Sequence, residues 1–281
     1  MSVREVKYAR VVRELGTPEL VASVERDEVA LHNAAVIAKD CSPKKQRALA
    51  EEGGDALFRE AQATRAKQEA ARKNAEIESQ PLIIPEGRFS VIVIDPPWPL
   101  EKVAAGLYAR DEEPVLPYPT MSVEQIRDWG LEPKRFFPDQ RTAPSAHLFL
   151  WCPDHFLKDA RWLLGEWGFE YSRTFVWHKN TAQYFPGMPG YNCEFVLHGR
   201  RGSPRFREIA GAEFTTCFDG VNQGHSRKPV EFYEMIRKVT DGPRVDVFSR
   251  SAHEGFEACG NEVDKFLPAP AANSMEAALG L

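Results

Sequence analysis

The 281-residue sequence contains no apolar run approaching the roughly 20 residues that a membrane-spanning helix needs. Its opening, "MSVREVKYAR", carries charges where a signal peptide would have its apolar core, so we expect a cytoplasmic protein with no membrane partner. The five cysteines, Cys41, Cys152, Cys193, Cys217 and Cys259, form no CxxC motif, which excludes zinc-ribbon and dithiol-redox designs and favours free thiols. None of the seven histidines forms an HExxH or HxxxH pair, so no metal is expected. Basic residues are not in excess: the net charge of −5 rules out a wholly basic nucleic-acid binder but leaves room for a local basic groove. Aromatics are scarce early, with only Tyr8 and Phe58 before residue 81, whereas all six tryptophans lie between Trp98 and Trp177. No internal repeat is present.

The shift in aromatic content sets a boundary near Pro81. Before it, Thr17-Pro18 and Ser42-Pro43 read as N-cap and first-turn pairs, and Gly53-Gly54 as a stop, which predicts several short helices over 1–53. Residues 54–80 are alanine-rich, densely charged and weakly periodic, as in an exposed helix or a linker. Beyond Pro81 the pattern alternates. Strands are predicted at 91–94, 147–151, 174–177, 194–197 and 245–248, and helices at 123–129, 155–167 and 230–239, the second of these ended by Gly168. This order predicts an α/β sandwich with a mainly parallel sheet over 81–268. Long connections are expected at 99–119, 180–192 and 199–224, and 269–281 should be a disordered tail.

The stretch "FSVIVIDPPWPL" raises a chemical question. Val- and Ile-rich residues up to Ile94 read as a strand covered on both faces, and Pro96 and Pro97, which cannot donate to a ladder, force the chain out of the sheet. Asp95 is thus left at the strand's carboxyl end, where open α/β sheets bind ligands. The prolines remove N–H donors, so the local surface consists of acceptors and suits a group with hydrogens to give. The exocyclic amine of a nucleobase fits, with Trp98 as a face for the ring to stack on. Fixed acceptors would localise the amine's lone pair and aim it at an electrophile. The bland alternative is a turn after a strand, with Trp98 in the core.

The surroundings decide between these. "VIVIDPPWPL" is followed in order by "YPTMSVEQI", "HLFLWCPDHFLKDARWLLGEWGFEYSRTFVWHK", "CEFVLHGRRG", "HSRKPVEFYEMI" and "VDVFSRSAHEGFEACGNE". This ordered set, over about 89–266, resembles the DPPW family of adenine-N6 methyltransferases, which includes the eukaryotic messenger-RNA enzyme and bacterial and phage DNA-modifying relatives. The resemblance implies a Rossmann-like S-adenosylmethionine-dependent methyltransferase fold with permuted motif order and an N-terminal helical appendage. Permutation accounts for the lack of a GxGxxG motif after Ile94, since the cofactor-holding strand, "VDVFS", comes last.

By the same resemblance, Asp95, Pro96, Pro97 and Trp98 form the catalytic motif, with Asp95 also beside the methyl donor. Tyr118, Lys179 and Glu194 belong to the pocket for the target base. Lys228 meets the carboxylate of S-adenosylmethionine, and Arg250, Asn261 and Glu262 contact its ribose. The chain departs from the family in having Phe256 and Cys259 where tryptophans are frequent, and Glu262 follows Asn261 in the bacterial manner. Trp151, Trp162, Trp167 and Trp177 are expected in the core. Arg200, Arg201, Arg205 and Arg207 are either a phosphate-contacting loop or a solvated face.

Residues 8–53 resemble the helices that follow the helix-turn-helix of ParB-type DNA-binding proteins. This favours DNA as the partner, with the target adenine flipped out of the duplex into the pocket. The same helices would equally suit packing or a homodimer. RNA is the alternative substrate, and a non-catalytic nucleic-acid-binding subunit is a third reading, opposed by the intact Asp95-Pro96-Pro97-Trp98.

Overall fold

The computed structural model describes residues 2–79, 84–99, 119–184, 187–208, 214–221 and 227–261. Tyr118, His225, Glu262, most of the 99–119 connection and the 269–281 stretch lie outside the described residues. Two compact units divide the chain near residue 76.

In the first unit, helices form where the capping signals stand. Helix α1 (Val3–Leu15) begins with a reciprocal capping box between Ser2 and Glu5. Thr17 caps α2 (Pro18–Glu25) and Ser42 caps α4 (Pro43–Glu52), each with proline in the first turn. Helix α3 (Leu31–Asp40) lies between them in sequence and buries Ala34, Ile37 and Ala38. Gln46 is buried and satisfied: its Oε1 accepts from Thr17 N at 2.8 Å, and its Nε2 donates to the Cys41 and Ala38 carbonyls at 3.0 and 3.2 Å. Helix α5 (Gly54–Ser79) is not simply an exposed linker, because its first turns bury Leu57 and Ala61 in the core formed with Val12, Leu20 and Ile37.

The second unit holds a seven-stranded sheet in the order β5-β3-β4-β2-β1-β6-β7. Its strands are β1 (Phe89–Ile94), β2 (Thr142–Cys152), β3 (Glu170–Gln183), β4 (Tyr191–Arg201), β5 (Cys217–Gly220), β6 (Arg244–Val247) and β7 (Glu257–Cys259). Strand β1 is central, parallel to both β2 and β6. Its period of two sends Ile92 and Ile94 into a core layer with Ile126 of α6 (Val123–Leu131) and Leu163 of α7 (Leu157–Glu166). Val91 and Val93 go the other way, into a layer with Phe232 and Ile236 of α8 (Val230–Val239). Burial on both faces explains why β1 is apolar without alternation.

The sheet is mainly parallel, as expected, with four of its six strand pairings parallel and β4 alone reversed. Strand β4 runs antiparallel to both β2 and β3, because β3 and β4 form one long hairpin. Much of the expected 180–192 loop is therefore strand, paired as far as Gln183 and Tyr191. The short strands β5 and β7 carry no apolar run by which the sequence could announce them: they have four and three residues, interrupted by Asp219 and opened by Glu257. Trp151, Trp167 and Trp177 are buried, whereas Trp162 is 40% exposed, with the Arg127 guanidinium 5.6 Å from its ring centre. The α7 face that Trp162 occupies points outward, since Ala160, Leu163 and Leu164 take the inner one.

Candidate active site

Parallel pairing of β1 with β6 continues past β1, where Asp95 N donates to Val247 O at 3.2 Å. This last bond pins Asp95 beside the end of β6. The chain then turns, with Trp98 N donating to Pro96 O at 2.9 Å and Met121 N to Pro97 O at 2.8 Å. Both proline carbonyls thus already accept one hydrogen bond, and each keeps a second lone pair.

Lys228, just before α8, pairs with Asp95 Oδ1 at 3.1 Å and with Glu194 Oε2 at 2.9 Å. Lys179, on β3, donates to the other oxygen of Glu194 at 2.6 Å. The four side chains alternate in sign and come from four places in the sequence, so the expected site residues Asp95, Lys179, Glu194 and Lys228 meet in one cluster. Aromatic rings flank the cations, with Trp151 4.9 Å from Lys228 Nζ and Trp177 5.0 Å from Lys179 Nζ. Burial alone would raise Glu194, but the attraction of Lys228 and Lys179 outweighs it and brings the carboxyl down to about 2. Burial alone would lower Lys228, yet Asp95 and Glu194 hold it above the ordinary lysine value. For Asp95 burial prevails over Lys228 and Arg250, so its carboxyl lies above the usual range.

Trp98 does not offer an open face. It is 3% exposed, stacks on Phe156 with ring centres 5.1 Å apart, and donates from Nε1 to Trp151 O at 2.9 Å. Amphipathic rings bury readily when their polar atom finds an acceptor, and the Trp151 carbonyl supplies one.

A narrow cleft opens between the ends of β1 and β6, lined by Asp95, Arg227, Lys228, Phe248, Ser249 and Arg250, with Tyr233, Asp246, Ser251 and His253 completing the wall. The turn after β6 is tight: Phe248 adopts φ 60°, and a Cβ on Gly260 would lie 2.1 Å from Ser249 O. Burial pushes Asp246 up to about 7, and its Oδ1 is buried without a partner. His253 stacks on Tyr233 with ring centres 3.4 Å apart, and burial lowers it to about 4, so it is neutral at pH 7. The resemblance had singled out none of Tyr233, Asp246 or His253. Asp246 had a signal, a lone acid inside the apolar strand "VDVF".

Lys228 and Arg250 line the cleft, and two of the three Lys228 protons already serve carboxylates. Asn261 is not among the cleft's lining residues; its Nδ2 donates to Ile77 O at 3.1 Å, and its Oδ1 is buried without a partner. Of the four arginines, Arg200 and Arg205 are exposed, and the other two are engaged within the protein. Arg201 pairs with Asp139, and Arg207 donates to the Arg237 and Thr240 carbonyls at the end of α8. Among the described residues no three His, Cys, Asp or Glu side chains are grouped to hold a metal, and no helix is long and apolar enough to cross a membrane.

The lining matches what a zwitterionic, ribose-bearing methyl donor demands. Lys228, Arg227 and Arg250 suit a carboxylate, while Asp95 and the unpartnered Asp246 Oδ1 suit an ammonium or hydroxyl donor. S-Adenosylmethionine carries these groups.

The pattern of the MT-A70 family matches residues 89–262. Similar relatives are the MT-A70-like N(6)-adenosine-methyltransferase of Arabidopsis thaliana, 28% identical over 63% of this chain and 24% of the relative, and its Drosophila melanogaster counterpart, 27% identical over 63% and 27%. The human N(6)-adenosine-methyltransferase catalytic subunit METTL3 is 24% identical over 63% of this chain and 29% of its own. The matched region thus spans between 24% and 29% of these relatives. Because the family pattern takes in more than half of the chain and every strand of the sheet, the chain belongs to the MT-A70 family and has its S-adenosylmethionine-dependent methyltransferase fold.

Proposed function

We propose that this chain transfers a methyl group from S-adenosylmethionine to the exocyclic N6 amine of adenine in a nucleic acid. The observation that carries the reading is the Asp95 carboxylate, held at the end of the central strand by Lys228 and bordering a cleft whose charges complement the donor. When bound, S-adenosylmethionine supplies an electrophilic methyl on a sulfonium sulfur. Asp95 accepts an N–H of the amine, and the spare lone pair of Pro96 O or Pro97 O can take the second. With both hydrogens drawn to acceptors, the nitrogen lone pair is aimed away from the ring. As the N–C bond formed, the methyl–sulfur bond would break and the donor would leave as a neutral thioether, and the surplus proton on the nitrogen would pass to Asp95 or to water. Lys228 opposes the burial that raises Asp95, and Glu194, gripped by two lysines, keeps Lys228 in place.

Two substrates are in play. The likeness of residues 8–53 to ParB-type helices supports DNA, with the adenine flipped from the duplex. The relatives are named for adenosine, a ribonucleoside, which supports RNA equally. Labelled methyl transfer to sequence-matched DNA and RNA, single-stranded and duplex, followed by mapping of the modified base, tests both. N6-methyladenine in either polymer upholds the chemistry and its ratio assigns the substrate. No transfer to any adenine, with the donor bound, would mean a binding subunit.

A further inference from the structure

We infer that Trp98 is a positioning residue that acts through Asp95, clamping the turn after β1 to the end of β2, and is not the surface on which the target base stacks. The inference rests on the methyl-transfer reading of the same site. Trp98 is joined to the β2 end by two contacts of different kinds: the hydrogen bond from Nε1 to Trp151 O and the stack on Phe156, in the single turn that precedes α7. Its backbone closes the turn from the other side through Pro96 O. Trp151 in turn places its ring under Lys228, whose Nζ holds Asp95 and Glu194. Asp95 is therefore fixed by a closed circuit running through the Pro96-Pro97 turn, Trp98, Trp151 and Lys228. A buried ring with its one donor in use has nothing left to offer a base except through this circuit.

Two substitutions separate the contacts. Trp98→Phe keeps a ring against Phe156 and removes the donor; Phe156→Leu keeps the donor and removes the stack. Both are compared with the wild type for melting temperature, donor affinity by calorimetry, kcat and KM on the best oligonucleotide, and the titration of Asp95 followed through ¹³Cγ-labelled aspartate, assigned with Asp95→Asn. A small misplacement of a reacting group costs up to about a hundredfold, so kcat should fall roughly ten- to a hundredfold while KM for nucleic acid holds. The Asp95 signal should titrate nearer the ordinary carboxylate range, because a loosened turn readmits water and relieves the burial that raises it. A raised KM with kcat intact would show that Trp98 meets the substrate and overturn the inference. An unchanged Asp95 titration in both variants would overturn it as well. Should the wild type methylate nothing, the methyl-transfer reading fails, yet the Asp95 titration still decides whether Trp98 positions it. If Trp98→Phe does not fold, Phe156→Leu carries the comparison.

Discussion

Lys228 holds two carboxylates at once, and this sets what a single substitution at the site will do. Asp95→Ala removes one partner but leaves Lys228 paired with Glu194 at 2.9 Å, so no buried cation is stranded. Stability should change by about 1 kcal/mol, while methyl transfer falls on the order of a hundredfold or more, as when other fixed electrostatic groups are deleted. A chemical denaturation curve beside a turnover assay checks both halves; normal turnover would remove Asp95 from the mechanism. Asp95 could be found from sequence because two prolines following an apolar run force an acid to the sheet's edge. Lys179, Glu194 and Lys228 came only with the family resemblance, since nothing in their local spacing says that one cation will bridge two anions. Tyr233 and His253 carry no local signal: their stacking joins α8 to the loop after β6, a tertiary fact.

Among elements, those with a strong local code were readable. The capped helices α2 and α4 and the twofold-buried β1 each carry theirs within about ten residues. Strands β5 and β7 do not, because a short edge strand is specified by the neighbour that it joins. The antiparallel placing of β4 was likewise hidden, as alternation reports which faces are buried and not which way a neighbour runs. The packing of α6 shows what an element can demand of one position. A Cβ on Gly130 would lie 2.7 Å from Trp167 Nε1 and 2.9 Å from a ring carbon of Phe137, and Trp167 is held there by donating to Arg127 O at 3.1 Å. Gly130→Ala gains helix propensity yet forces two packed rings apart, so a net loss of about 1–3 kcal/mol is expected. Urea unfolding checks the sign; a stabilised variant would mean that the helix can shift freely.

At the scale of the whole molecule, buried histidines set the acid limit of stability. His147 and His198 face each other across β2 and β4, with Nδ1 and Nε2 3.0 Å apart, and burial lowers them to about 4 and about 3 from an ordinary value of 6.5. His253 is lowered to about 4. Between about pH 4 and 6.5 the unfolded chain binds these three protons and the folded chain does not, so stability is full above 6.5 and falls as pH drops. Asp246, raised to about 7, works the other way over the same interval, and Asp95, also raised, acts in the same sense, because a folded carboxyl with a raised value holds a proton that the unfolded one releases. Three against two leaves a net loss on acidification, each proton being worth up to roughly 1.4 kcal/mol per pH unit. The urea midpoint should decline from pH 6.5 to 4.5, and a variant with His147 and His198 both replaced by Phe should decline less. Strand β1 has its own consequence. It is covered on both faces and flanked on both sides by parallel strands, so its amides should be among the last to exchange with deuterium, opening only when the whole unit unfolds. The proposed acceptor for the amine would thus be mounted on one of the slowest-breathing parts of the molecule, insulated from the fraying of the sheet's margins.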